Sequence, residues 1–207
     1  MAITLYEQRR SLGLAGGCLW LVAVGTAYAA WSLLAIQSAW ATSLLVATSI
    51  FAVGMYLFGI AMIRGVRQLP VLPATEPSRA RRIILRFGAI VAIEGVAIAM
   101  VSLACIFTHH ARFIVPLTLV IVGLHFLPLA RLFDVPRYSV TGILFCIIPI
   151  VTMVAVPASA HVGQLRDWIA IPSVGCALVS LATGWGGLNE VRRFLSASQA
   201  SSPSPAA

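Results

Sequence analysis

Six apolar stretches, each long enough to cross a bilayer, constrain this chain more than any other feature. A helix crossing ~30 Å of hydrocarbon needs roughly 20 apolar residues. Stretches of that kind run over residues 12–36, 42–63, 87–107, 113–130, 138–156 and 168–188. None has the period-two pattern of a membrane barrel strand, and all are too long for one. The expected fold class is therefore all-α: a polytopic membrane protein of six transmembrane helices, arranged as three antiparallel hairpins. Composition agrees. Only 10% of the 207 residues are charged and 60% are hydrophobic, which excludes an ordinary soluble enzyme and a disordered chain. Four cysteines in this length are too few for a disulfide scaffold.

Charge asymmetry predicts the orientation. All 14 basic residues are arginine. Arg9 and Arg10 precede the first stretch. Arg64, Arg67, Arg79, Arg81, Arg82 and Arg86 lie between the second and third, Arg131 and Arg137 between the fourth and fifth, and Arg192 and Arg193 after the sixth. Only Arg112 and Arg166 fall on the other side. Short loops rich in Lys and Arg stay cytoplasmic, so both termini are expected inside. Trp31, Trp40 and Trp168 near the outer ends, with Tyr138 and Trp185 near the inner ends, fit an aromatic belt. The net charge of +8 then reflects this bias and attraction to anionic lipid head groups, and no nucleic-acid partner is expected. Arginine without lysine, among abundant Ala and Gly, suggests a GC-rich bacterial genome and a bacterial inner membrane.

Arg9-Arg10, the apolar run and Ala27-Tyr28-Ala29 imitate a signal peptide, and the arginine pair resembles a twin-arginine signal. The run continues to Ile36, well beyond the 7–15 residues of a signal core, so a retained first span is expected. Residues 1–11 read as a cytoplasmic N-terminus and 12–195 as the six-span domain. Residues 196–207, all Ser, Pro, Ala and Gln without charge, read as a disordered cytoplasmic tail. Short connections at 37–41 and 108–112 predict tight hairpins. The outer loop at 157–167 is longer. The cytoplasmic loop at 64–86 is the longest: Pro70, Pro73 and Pro77 keep its first half extended. Arg79, Arg81, Arg82 and Arg86 then make either an interfacial helix that binds lipid phosphates or a basic extension of the third span.

Two ionisable residues lie inside the apolar stretches: Glu94 in the third and His125 in the fourth. Each costs ~2.5–3.5 kcal/mol at a span centre, so each invites an explanation. Counted from His110 in the intervening turn, Glu94 lies 16 residues back and His125 lies 15 forward. A tight hairpin places both at one height, roughly 8–10 Å from the inner ends of their spans at 1.5 Å per residue. The functional reading is a hydrogen-bonded pair that exchanges a proton near neutral pH, where imidazole titrates. The structural reading is interhelical glue, at ~0.6 kcal/mol on average. Gly123 and Pro128 flank His125, and Pro149 lies in the fifth span. Each proline frees a carbonyl four residues earlier, so these positions predict helix breaks of the kind that line transporter sites or plain kinks.

The segment Val122-Gly123-Leu124-His125-Phe126-Leu127-Pro128-Leu129-Ala130-Arg131-Leu132-Phe133, with Pro136, Tyr138 and Thr141-Gly142, resembles a family of small bacterial multi-span membrane proteins with no assigned activity. The resemblance covers about 20 of 207 residues and implies only that His125 belongs to the family's most distinctive segment.

Other chemistry is weaker. His109, His110 and His161, with Asp167 nearby, are candidate outer-face metal ligands, but no His-x3-His spacing supports them. Cys18, Cys105, Cys146 and Cys176 lie in four different spans and read as packing residues. Arg131-x-x-Asp134-x-x-Arg137 is either a phosphate site or a set of interfacial anchors. Gly54, Gly59, Gly184, Gly186 and Gly187 permit close helix approach. No His-Glu-x-x-His, Gly-x-Ser-x-Gly, P-loop or Gly-x-Gly-x-x-Gly occurs, which argues against an enzyme. No cofactor is expected. The leading function is a small proton-linked transporter or ligand-binding membrane protein using Glu94 and His125, with a homodimer compatible with its size and the ligand unread. The alternative is a non-catalytic membrane subunit, assembly or stress-response factor acting through protein or lipid contacts.

Overall fold

The computed structural model describes residues 5–36, 39–69, 77–157, 159–162 and 165–200. Six helices long and apolar enough to cross a membrane account for nearly all of them. They are α1 (Leu5–Ile36), α2 (Ala39–Gln68), α3 (Pro77–Phe107), α4 (Ile114–Phe133), α5 (Pro136–Ala155) and α6 (Asp167–Ala200). The chain is a multi-pass membrane protein. A 3-10 turn at Ala111–Phe113 enters α4. A two-residue ladder, His161–Val162 against Leu165–Arg166, sits in the connection before α6.

Local chemistry sets the helix ends. Pro77 and Pro136 open α3 and α5, where a missing N–H costs nothing and the fixed φ suits the first turn. Asp134 ends α4 in the left-handed conformation (φ 54°), and its N–H bonds the Ala130 carbonyl. His109 makes the same left-handed turn (φ 58°) after α3.

Two expectations need correction, and one of two alternatives is met. α2 continues to Gln68 and α3 begins at Pro77, so Arg79, Arg81, Arg82 and Arg86 extend α3, the second reading of the basic loop, while residues 70–76, with Pro70 and Pro73, lie outside the described residues. α6 continues to Ala200, so residues 196–200 are helical rather than disordered tail, while 201–207 lie outside the described residues. Serine and alanine without charge are compatible with one more helical turn, and Ser198 bonds the Phe194 carbonyl. Finally, α4 and α5 run unbroken through Pro128 and Pro149, and α6 through Pro172. Each proline removes one internal hydrogen bond, but the flanking turns hold the helix together.

The helices are laid out in the order α2, α1, α6, α5, α4, α3, each packing on the next. The three expected hairpins are present as contacts, but the most extensive packing is α1 on α6 and α4 on α5. Small residues allow both. A methyl group added at Gly25 would lie 2.9 Å from Ser180 Cβ and one at Gly184 3.0 Å from Val22 Cγ2, so α1 and α6 almost touch. Gly123 and Gly142 do the same for α4 and α5. Without water to drive association, such close packing is what holds membrane helices together. The main core lies among α1, α2, α6 and the ends of α4 and α5 and includes Cys18, Val22, Met55, Val66, Phe126, Tyr138 and Leu188. A smaller cluster of Leu119, Phe145 and Cys176, with Tyr28 against it, fills the middle. The flanking helix α3 buries least: 6% of its apolar stretch, against 44% in α6.

Candidate functional site at the α3–α4 interface

The structure brings Glu94 and His125 together. Glu94 Oε1 lies 3.2 Å from His125 Nδ1, and the two side chains are 15% and 14% exposed. The antiparallel α3–α4 pair supplies equal height, and the rotation of each helix turns both side chains inward. Residues on either side of Glu94, Ile93 and Val96, face outward, so the carboxylate is the polar exception on an apolar helix.

His125 Nδ1 also lies 2.9 Å from the Val122 carbonyl of its own helix. A ring nitrogen facing a carbonyl oxygen and a carboxylate oxygen must carry the proton, since a lone pair there would repel both. Nδ1–H therefore donates. Among the described residues no hydrogen-bond partner meets Nε2. The imidazole lies tilted by 40° at 4.7 Å from the Phe126 ring, which itself packs on Tyr138 and Phe145.

The other sequence candidates separate from this pair. Gly123 is buried against α5: a methyl group there would meet Cys146 Sγ and the Gly142 carbonyl at 2.7 Å, so its smallness serves the α4–α5 crossing. Pro128 is exposed on α4 and Pro149 is buried on α5. Pro128 leaves the Leu124 carbonyl without its helical donor, one residue before His125. Arg86 and Arg131 are exposed at the arginine-rich end, beside the Phe87–Phe133 edge contact of 5.8 Å. The backbones of Arg79, Arg81 and Arg82 lie in α3, and their side chains fall outside the described residues. His109 and His110 are exposed in the α3–α4 turn, where Thr108 O lies 2.6 Å from His110 Nδ1. His161 is in the two-residue ladder. No group of three or more metal-ligating side chains gathers among the described residues.

A second polar grouping was not anticipated. Arg137 of α5 pairs with Glu190 of α6. Arg10 of α1 donates to the Asp134 carbonyl at 3.0 Å, with the Asp134 carboxylate 3.9 Å away. Arg137 therefore turns onto α6, although it read as an interfacial anchor. One signal was available: Ser173, Cys176, Ser180, Thr183, Gly187 and Glu190 repeat at three- and four-residue steps, one face of a helix. No known protein family, curated protein or solved structure matches the chain.

Proposed function

We propose that the chain is a small proton-linked membrane carrier in which Glu94 and His125 bind and release the proton. One observation carries this reading: an ionisable pair, 3.2 Å apart and about 15% exposed, placed within two apolar helices. Among the described residues the other two ion pairs join helix ends at the arginine-rich side. Ionisable groups inside a membrane are costly and usually mark ion or proton pathways. The Glu94 carboxylate and the His125 imidazole are the two groups of this pair with protons to exchange. The arginine bias supports an inward-facing arginine-rich end, with Arg86 and Arg131 near anionic head groups. The largely unburied α3 leaves room for a second copy.

The test is proton flux. Purified protein is reconstituted into vesicles containing a pH-sensitive dye, and a potassium diffusion potential is imposed with valinomycin. Wild type is expected to admit protons, and Glu94→Gln and His125→Ala to abolish the signal. Equal dye responses from wild type, Glu94→Gln and protein-free vesicles would remove the reading. A co-purifying protein together with indifference to Glu94→Gln would favour a non-catalytic subunit instead.

A further inference from the structure

Apart from the Glu94–His125 pair, a column of polar and thiol side chains runs between α1, α5 and α6. At the arginine-rich end stand the two ion pairs, Arg10–Asp134 and Arg137–Glu190. The Arg137 guanidinium lies along α6 at a pair of glycines: methyl groups at Gly186 and Gly187 would sit 3.4 and 3.6 Å from its Nη1. Directly beneath are the Cys18 thiol, fully buried against Gly187, and the buried Tyr138 side chain, whose hydroxyl faces Gly17. One turn deeper the Thr141 and Thr183 hydroxyls meet at 2.7 Å. Beyond them the Ser180 hydroxyl is completely buried and has no hydrogen-bond partner. Leu119, Phe145 and Cys176 then close the column with an apolar plug.

The Ser180 hydroxyl, like that of Ser173 farther along the same face of α6, lacks the partner that ordinary packing supplies. The threonines nearby satisfy themselves: Thr141 bonds the Arg137 carbonyl, Thr152 that of Ile148 and Thr26 that of Val22. Ser180 does not, and a buried hydroxyl without a partner is a group that water satisfies when water can reach it. Between it and the arginine-rich end stand the Thr141–Thr183 bond, the Cys18–Tyr138 layer and the two ionic contacts.

We infer that the Arg10–Asp134 and Arg137–Glu190 pairs form an ionic clasp that closes the α1–α5–α6 column to water at the arginine-rich end. The clasp sits on the turn between α4 and α5. Asp134 holds a left-handed backbone that only glycine adopts freely, and Arg10 bonds its carbonyl from the distant α1. Six residues earlier Pro128 removes one hydrogen bond from α4, which continues as a helix to Phe133. Both ion pairs lie at least 31% exposed, where charges part without the full cost of burial. When they part, α5 leaves α6 and the column fills from Cys18 to Ser180.

Cys18 is a built-in reporter, roughly 12 Å along α1 from Arg10 at 1.5 Å per residue. The full chain, with Cys105, Cys146 and Cys176 replaced by alanine, is placed in lipid nanodiscs. It is exposed to a cationic, membrane-impermeant methanethiosulfonate, and modification is followed by intact mass. Cys18 is expected to react slowly in this background and at least about tenfold faster with Arg10→Gln or Arg137→Gln, as for a local opening. The charge swap Arg137→Glu with Glu190→Arg is expected to restore protection. A companion background keeps only Cys176, in the plug, and its rate is expected to stay low in every variant. An unchanged Cys18 rate in both single variants overturns the clasp. So does equal acceleration at Cys176, which would mean that the whole bundle has loosened. None of these readouts involves Glu94 or His125, so the clasp and the proton site stand or fall separately.

Discussion

The α4–α5 crossing yields the sharpest stability prediction, because backbone meets backbone there. A methyl group at Gly142 would lie 2.6 Å from the Gly123 carbonyl oxygen and 3.0 Å from Phe126 Cβ. Ordinary contact starts near 3.4 Å, so Gly142→Ala must separate the helices by about 0.8 Å. A gap of ~0.5–1 Å forfeits a quarter to a half of each dispersion contact along the seam. Overpacking typically costs ~1–3 kcal/mol, while replacing a helical glycine by alanine returns up to ~1 kcal/mol. The net expectation is a loss of about 1–2 kcal/mol, or roughly 2–8 °C in Tm for a chain of this size. Tryptophan fluorescence during a thermal ramp in one detergent measures it. The Gly123→Ala, Gly142→Ala double variant should cost less than the sum of the singles, since one separation relieves both clashes. Gly95→Ala on α3, where a methyl group meets nothing within 4 Å, is the control and should gain up to ~1 kcal/mol. A Gly142→Ala protein as stable as wild type would refute the reasoning.

Three further outcomes follow from other contacts. Glu94→Ala should cost no more than about 1.7 kcal/mol, the upper range for interhelical hydrogen bonds in membranes, because His125 keeps the Val122 carbonyl; a much larger loss of Tm would make Glu94 structural. Gly187→Ala places a methyl group 2.1 Å from Cys18 Sγ, so it should destabilise by ~1–3 kcal/mol, and Cys18→Ala should relieve most of that loss in the same thermal assay. Trp168→Phe should cost ~0.5–1.5 kcal/mol, because Trp168 Nε1 donates to the Val156 carbonyl at 2.8 Å and its ring packs on Phe113 at 5.2 Å under Arg112; no change on denaturation would show that this end of the bundle is held by other contacts.

The six helices were legible because hydrocarbon imposes length and hydropathy, and nothing else in the sequence competes with that signal. Glu94 and His125 were legible for the same reason: charge is conspicuous where all else is apolar, and counting from one short turn sets their relative height. Their contact required the rotation of each helix, which depends on packing with no counterpart in a hydropathy profile. Arg137 and Glu190 were hidden among residues that also act as topology determinants. At a helix end, an arginine that faces lipid and one that faces a neighbouring helix look alike in sequence. The Gly123–Gly142 approach joins two helices through single glycines, so no spacing within either helix announces it. The helical extensions at 64–68 and 196–200 were missed because polar residues beyond the apolar stretch end the hydropathy signal without ending the helix, whereas the extension at 77–86 was one of two readings of its arginines.

The central place of α6 has a consequence for biogenesis. α1 and α2 can pair as soon as they enter the membrane, and α3, α4 and α5 can assemble beside one another, but these two groups meet mainly through α6. About 45 residues separate the end of α5 from the end of α6, a delay of roughly 2–9 s at ~5–20 residues per second. During that interval the face of α1 that will receive Gly184 and Gly187 is turned to lipid or to a chaperone. A chain stopped before residue 167 would hold two sub-bundles without the helix that joins them, with Val22 and Gly25 of α1 and Ile148 of α5 left bare, which is the form a membrane quality-control protease would meet.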